Sequence, residues 1–122
     1  MIQSYKDLEV YKRSFQLAMD IFWLTRGFPK EEIYSLTSQI TRSSRSISAN
    51  ISEGWAKRKF EKIFKQHLVH CLGSCAETEN WITFAYECQY ISAEQNKTLL
   101  KEIDEIGKML NKLHQNWKSY GK

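Results

Sequence analysis

Proline is almost missing from these 122 residues: Pro29 stands alone, and only five glycines accompany it. Hairpins, sandwiches and barrels need such punctuation between short strands, so its scarcity argues against an all-β fold. No apolar run reaches the ~18 residues of a membrane span, and the start, Met1 to Asp7, lacks the apolar core of a signal peptide. A cytoplasmic protein is expected. The cysteines, Cys71, Cys75 and Cys88, are odd in number. On a helix the first two lie one turn apart, where a bridge would strain disulfide geometry, so reduced thiols are expected. Catalytic signatures are missing too: there is no G-x-S-x-G, no Walker A loop and no G-x-G-x-x-G. Di-iron bundles use Glu-x-x-His, yet none of His67, His70 and His114 has a glutamate three residues before it. Glu77 and Glu79 point to different helix faces and cannot share a proton. Neither an enzyme nor a cofactor is indicated.

What is present is helical rhythm. The chain is 42% hydrophobic and 26% charged, ordinary for a single globular domain spanning residues 1–122. Leu8, Tyr11, Phe15, Ala18 and Phe22 form one stripe of a helix from about Asp7 to Arg26, stopped by Gly27-Phe28-Pro29. Leu36, Ile40, Ser43 or Ser44, Ile47 and Ile51 mark a second, from about Tyr34 to Glu53, with Gly54 as its C′ cap. A third runs from about Arg58 to Tyr90 on Phe60, Phe64, His67, Cys71, Cys75, Thr78, Ile82 and Ala85. Ser92-Ala93-Glu94-Gln95 reads as a capping box that starts the fourth, whose stripe continues through Leu99, Ile103, Ile106, Leu110, Leu113 and Trp117 to Tyr120. Short connections make these an all-α, up-down-up-down antiparallel four-helix bundle.

Three features of this frame raise expectations. The first two helices span ~30 Å and the last two ~45 Å, so the third should overhang, exposing Trp81, Phe84, Tyr86 and Tyr90. Either Phe28, Ile33 and Tyr34 fold over these aromatics, or Trp81, Phe84 and Tyr90 form a subunit interface of a homo-oligomer. Gly73, inside the third helix, falls level with Gly107 in an antiparallel hairpin, where either the pair lets the helices approach closely or a glycine faces solvent and is simply tolerated. His67, Cys71 and Cys75 share one helix face and could ligate zinc. They coincide with the core stripe and lack C-x-x-C spacing, so core packing is the favoured reading and no metal is assigned.

The charge map says more about function. The net charge is +4. Between positions 42 and 65, Arg42, Arg45, Lys57, Arg58, Lys59, Lys62 and Lys65 face only Glu53 and Glu61, a local excess of +5. Such a patch neutralises phosphates, and Arg42, Arg45, Lys57, Arg58 and Lys59 are its candidate nucleic-acid-binding residues, with Lys101, Lys108 and Lys112 as the alternative. No zinc finger, helix-turn-helix or RNP motif accompanies it, so backbone and shape recognition, suited to RNA, is indicated.

Tyr5-Lys6-Asp7-Leu8-Glu9-Val10-Tyr11, Phe28-Pro29, Gln39-Ile40-Thr41-Arg42, Ser46-Ile47, Asn50-Ile51-Ser52-Glu53-Gly54, and Gly73-Ser74 with Glu77 together form a familiar pattern. It resembles the four-helix bundle family of the 23S rRNA intervening-sequence proteins, bacterial proteins also labelled ribosomal proteins of the S23 type. The resemblance spans nearly the whole chain. It implies a ring-like pentamer, similar to the accessory variability determinant of diversity-generating retroelements, a relative that binds RNA and a reverse transcriptase. An RNA-binding homo-oligomer is therefore expected, with a scaffold that docks an enzyme partner such as a reverse transcriptase as the alternative. Ser52 and Cys71 depart mildly from the family pattern. Read physically, Asn50 and Glu53 would satisfy backbone groups around a turn where Gly54 supplies φ > 0, and Glu77 beside Ser74 would hydrogen-bond across the bundle or the interface.

Overall fold

A computed structural model describes residues 2–119. Its four helices are α1 (Glu9–Thr25), α2 (Leu36–Ala56), α3 (Glu61–Glu87) and α4 (Ala93–Asn116), with short 3₁₀ turns at Tyr5–Asp7 and Lys30–Glu32. Each helix packs on its chain neighbours and α1 closes the ring on α4, with no diagonal contact, which is the up-down-up-down order. Ile21, Ile40, Ile47, Ile51, Phe64, Leu68, Ile82, Ile106 and Leu110 are fully buried along the axis. The expected heptad stripe of α4 is buried from Leu99 to Leu110. Tyr120 lies outside the described residues.

The helix ends show local chemistry. Ser92 Oγ accepts from Gln95 N at 3.0 Å while Gln95 Oε1 accepts from Ser92 N at 2.8 Å, the expected reciprocal cap. α3 ends on Gln89 at φ 65°, with Tyr90 N donating to Ala85 O at 2.9 Å. A non-glycine residue takes up the left-handed conformation there. Conversely, neither Gly27 nor Gly54 has a left-handed φ. α1 leaves through Arg26 in an ordinary helical conformation. α2 runs past Gly54 to Ala56, so Gly54 is no cap. Its lack of a side chain serves packing: a Cβ there would lie 2.8 Å from His67 Cβ.

Gly73 and Gly107 do not bring α3 and α4 together. A Cβ on either would meet nothing within 4 Å. Gly73 sits two residues from both Cys71 and Cys75, about 200° around the helix from each, and so faces solvent opposite the core stripe. Gly73→Ala is therefore expected to stabilise the protein by up to about 1 kcal/mol through helix propensity alone, as read from urea melts.

The overhang is shorter than expected. The helices hold 17, 21, 27 and 24 residues, or about 26, 32, 41 and 36 Å. Phe28 covers the top of α3, its ring 5.5 Å from that of Tyr90, and the Tyr90 hydroxyl donates to Glu32 Oε2 at 2.8 Å. Trp81 packs against the core and donates to Glu77 Oε2 at 3.0 Å. Ile33 and Tyr34 take no part in this cover and remain exposed, and Phe84 stays 51% exposed.

Candidate nucleic-acid interface

The α2–α3 turn is four residues of tight backbone. Lys57 N and Arg58 N donate to Gly54 O and Trp55 O, and Phe60 N returns to Lys57 O at 2.9 Å before α3 begins. Lys57, Arg58 and Lys59 occupy this turn in succession, all exposed. Beneath it lies an aromatic floor: Trp117 is 5.6 Å from Trp55 and 4.6 Å from the fully buried Phe64, centroid to centroid. Arg58 is held against that floor, its guanidinium 4.4 Å from the Trp55 ring centre and its Nη1 donating to Trp55 O at 2.9 Å. Lys59 lies 5.9 Å from the ring centre of Phe60, which is itself half exposed.

The segment after α4 straps this end. Ser119 Oγ donates to Arg58 O at 2.5 Å and Ser119 N donates to Glu61 Oε1 at 3.1 Å. That amide, followed by Lys65, holds the Glu61 carboxyl below its ordinary range. The one acid of the first α3 turn is thus already partnered. A cleft of about 620 Å³ opens between turn and strap, lined by Arg58, Lys59, Trp117 and Lys118 among others. The sequence places Trp117 on the stripe of the fourth helix and gives no sign of Lys118 here, whereas α4 ends at Asn116 and both residues reach the basic turn. Nearly sixty residues separate them from the turn, and only chain reversal through α3 and α4 brings them back.

Arg42 and Arg45 lie further up α2, about 22 and 18 Å from Lys57 along the helix axis. Arg42 forms an ion pair with Glu77 of α3 and also binds Gln39. Arg45 sits over Phe22 of α1 at 5.8 Å. The expected patch is therefore divided into a dense cluster at the turn and two arginines engaged by neighbouring helices.

The α2 and α3 parts of the family-like pattern lie along a polar seam between these two helices. Thr78 donates to Ser43 at 2.9 Å in the buried interior, Ser46 pairs with Ser74, and Glu77 bridges Arg42 and Trp81. Glu77 thus hydrogen-bonds across the bundle. Asn50 reaches back to Ser46 O at 3.0 Å and across to His67 Nδ1 at 3.2 Å, away from the turn its carboxamide was expected to satisfy. Glu53 is exposed and acts on His67 through charge. Small hydroxyl side chains let two long helices approach while satisfying one another. Cys71 and Cys75 are buried, as core packing requires; burial pushes both thiols up to about 12.

His67 turns towards Asn50 and also towards Lys57, whose Nζ lies 3.3 Å from Nε2. Accepting from an ammonium requires a neutral ring with the proton on Nδ1. Burial first, then the Lys57 charge, hold His67 below its ordinary 6.5. The unfolded chain therefore binds the proton more readily, so stability is fully present above about pH 6.5 and falls as pH drops through the lowered folded value. Thermal melts from about pH 7.5 to about pH 5 should show this loss in the parent protein and a smaller one in His67→Gln.

Fold and site define an antiparallel four-helix bundle with a cation-rich turn strapped over aromatics at one end. The chain belongs to the 23S rRNA-intervening sequence protein family, whose model matches residues 6–112. A crystal structure of a protein of unknown function from the S23 ribosomal protein family of Bacteroides thetaiotaomicron is similar. It has 29% identity and a TM-score of 0.79, over 88% of this chain and 96% of that one. No curated protein matches. Neither description names a reaction. Among the described residues, no helix is long and apolar enough to cross a membrane.

Proposed function

We propose that this chain is a non-enzymatic, cytoplasmic RNA-binding bundle that assembles with copies of itself. The observation that carries the RNA reading is the convergence of Arg58, Lys59 and Lys118 on one cleft walled by Trp117, with the ring of Trp55 packed against Trp117 and Lys57 adjoining in the same turn. Cations beside aromatic rings suit a flexible phosphate backbone whose bases can stack, so recognition runs through charge and stacking without reading a groove. Arg45 and, beyond its ion pair, Arg42 extend the positive surface up α2. Self-assembly draws on the α3 face that keeps Phe84 exposed, since Trp81 and Tyr90 are already engaged within the protomer.

Filter binding of single-stranded and structured RNA at graded salt tests this reading. If about five phosphates are contacted, log K should fall against log salt with a slope of roughly −3.5 to −4.5. Absence of binding at low salt would reject it in favour of a protein-docking scaffold.

A further inference from the structure

On the side of the bundle away from the polar seam, α1 and α4 are the most loosely joined neighbouring helices. The α1 side chains turned towards α4 include Glu9, Arg13, Gln16 and Asp20, which cannot zip two helices together by apolar contact. Across the middle a forked ion pair joins them, with Arg13 Nε and Nη2 donating to Glu102 at 2.9 and 2.7 Å. Above and below this pair the seam opens into clefts that follow one another. The upper cleft, about 240 Å³, has Leu24 and Leu99 in its wall. The middle one, about 410 Å³, shares Asp20, Thr98 and Leu99 with it. Past Arg13, which reaches Met109 Sδ at 3.8 Å, the lower cleft of about 440 Å³ is walled by Leu8, Val10, Met109 and Leu113.

From Leu24 to Leu8 this groove runs about 24 Å, the length of between four and five helical turns. Its lining residues include Glu9, Asp20, Glu94, Glu102 and Glu105 against Arg13, Lys101 and Lys112, a formal −2 in a chain of +4. An apolar floor under an acidic rim repels phosphate and matches a helix with one apolar stripe flanked by cations. We propose that the α1–α4 groove is the docking site for a basic amphipathic helix of a partner protein. Its apolar side chains, repeating at i, i+3, i+4 and i+7 along between four and five turns, would fall towards Leu8, Leu24, Met109 and Leu113, and its lysines or arginines would face Glu9, Asp20, Glu94 and Glu105. A second copy of the chain fits less well, because each of its four helices is already packed on two neighbours and can offer only an outer face. Its lower end adjoins the basic cleft at Asn116, and the site stands whether or not RNA binds there.

The probe is a fluorescein-labelled peptide of about 17 residues, with leucines at those spacings and lysines elsewhere, followed by anisotropy with the whole protein. Micromolar binding is expected. A scrambled peptide of the same composition, and one with glutamates in place of lysines, should bind at least about tenfold more weakly. On the protein, Leu113→Asp in the floor and the rim pair Asp20→Lys with Glu105→Lys should each cost about tenfold or more, with helicity unchanged by circular dichroism. The exposed rim pair keeps the test decisive if the floor variant unfolds. Equal binding of the scrambled peptide, or full binding by the rim variant, overturns the proposal. So does light scattering in which the rim variant alone reduces an assembled protein to single chains, since the groove would then hold a second copy.

Discussion

Replacing Gly54 by leucine is expected to cost more than about 3 kcal/mol, at or beyond the upper end of ordinary overpacking. A Cβ at this position would stand 2.8 Å from His67 Cβ and 3.3 Å from Phe64 Cδ1. The first is anchored directly to the α3 backbone, and the second belongs to a fully buried ring wedged beside Trp117. Neither can swing aside, so a leucine must part α2 from α3 and disturb the Asn50–His67 contact with them. Helix propensity acts in the other direction, favouring the substitution by nearly 1 kcal/mol, so the sign of the result separates packing from propensity. Gly54→Ala should show the same sign at about 1–2 kcal/mol. Urea melts of both variants measure this. Stabilisation by alanine would mean that the helices separate freely at this point, against the account given for Gly54.

Reversing Lys57, Arg58 and Lys59 to glutamate is expected to weaken RNA binding roughly a hundredfold at low salt and to flatten the salt slope by about two. All three are exposed and none contributes to the core, so helicity should survive. Arg42 is better left in place: Arg42→Glu would set a second carboxylate against Glu77 and unsettle the α2–α3 seam, confusing loss of binding with loss of structure. Arg45→Glu provides an independent extension, because Arg45 touches α1 only through the ring of Phe22. Binding that persists after the triple reversal would place the contact elsewhere, with Lys101, Lys108 and Lys112 next to be tried. Of these, Lys108 is already paired with Asp104 and Glu105, and Lys101 and Lys112 line the acidic α1–α4 groove, which makes helix α4 a poor phosphate surface.

Much of the fold was legible because helix formation is written locally, but the buried face of α1 was not: Phe15 of the expected stripe is half exposed, and Val10, Ser14, Leu17 and Ile21 are buried instead. The periods that marked Ile40, Ile47 and Ile51, or Leu99, Ile103, Ile106 and Leu110, are the same positions that close the core. The Ser92–Gln95 cap needs only four adjacent residues and was read correctly. The glycines were not. Gly54 reads from the sequence as a stop, and Gly73 with Gly107 as a close approach or a tolerated surface pair, because the same missing side chain serves a turn, a tight crossing or nothing at all. Which of these applies depends on the neighbour from another helix. Gln89 shows the converse: it ends α3 in a conformation that composition assigns to glycine. For the site, Lys57, Arg58 and Lys59 were visible as a run, whereas the strap of Trp117, Lys118 and Ser119 was not.

The sequence by itself determined that this chain is helical, that it folds as a four-helix antiparallel bundle and that its positive charge gathers around the second turn. Each of these follows from spacing or charge within a few tens of residues. Tertiary structure alone decided that Arg42 is bound to Glu77 while Lys57 to Lys59 have no acidic partner among the described residues, that Trp81 and Tyr90 are engaged within the protomer, and that α1 and α4 leave a groove with an acidic rim. Those outcomes depend on how far one helix is rotated about its axis against the next. A rotation of one residue, about 100°, is enough to turn an exposed cation into a bridge or a packed seam into an open one.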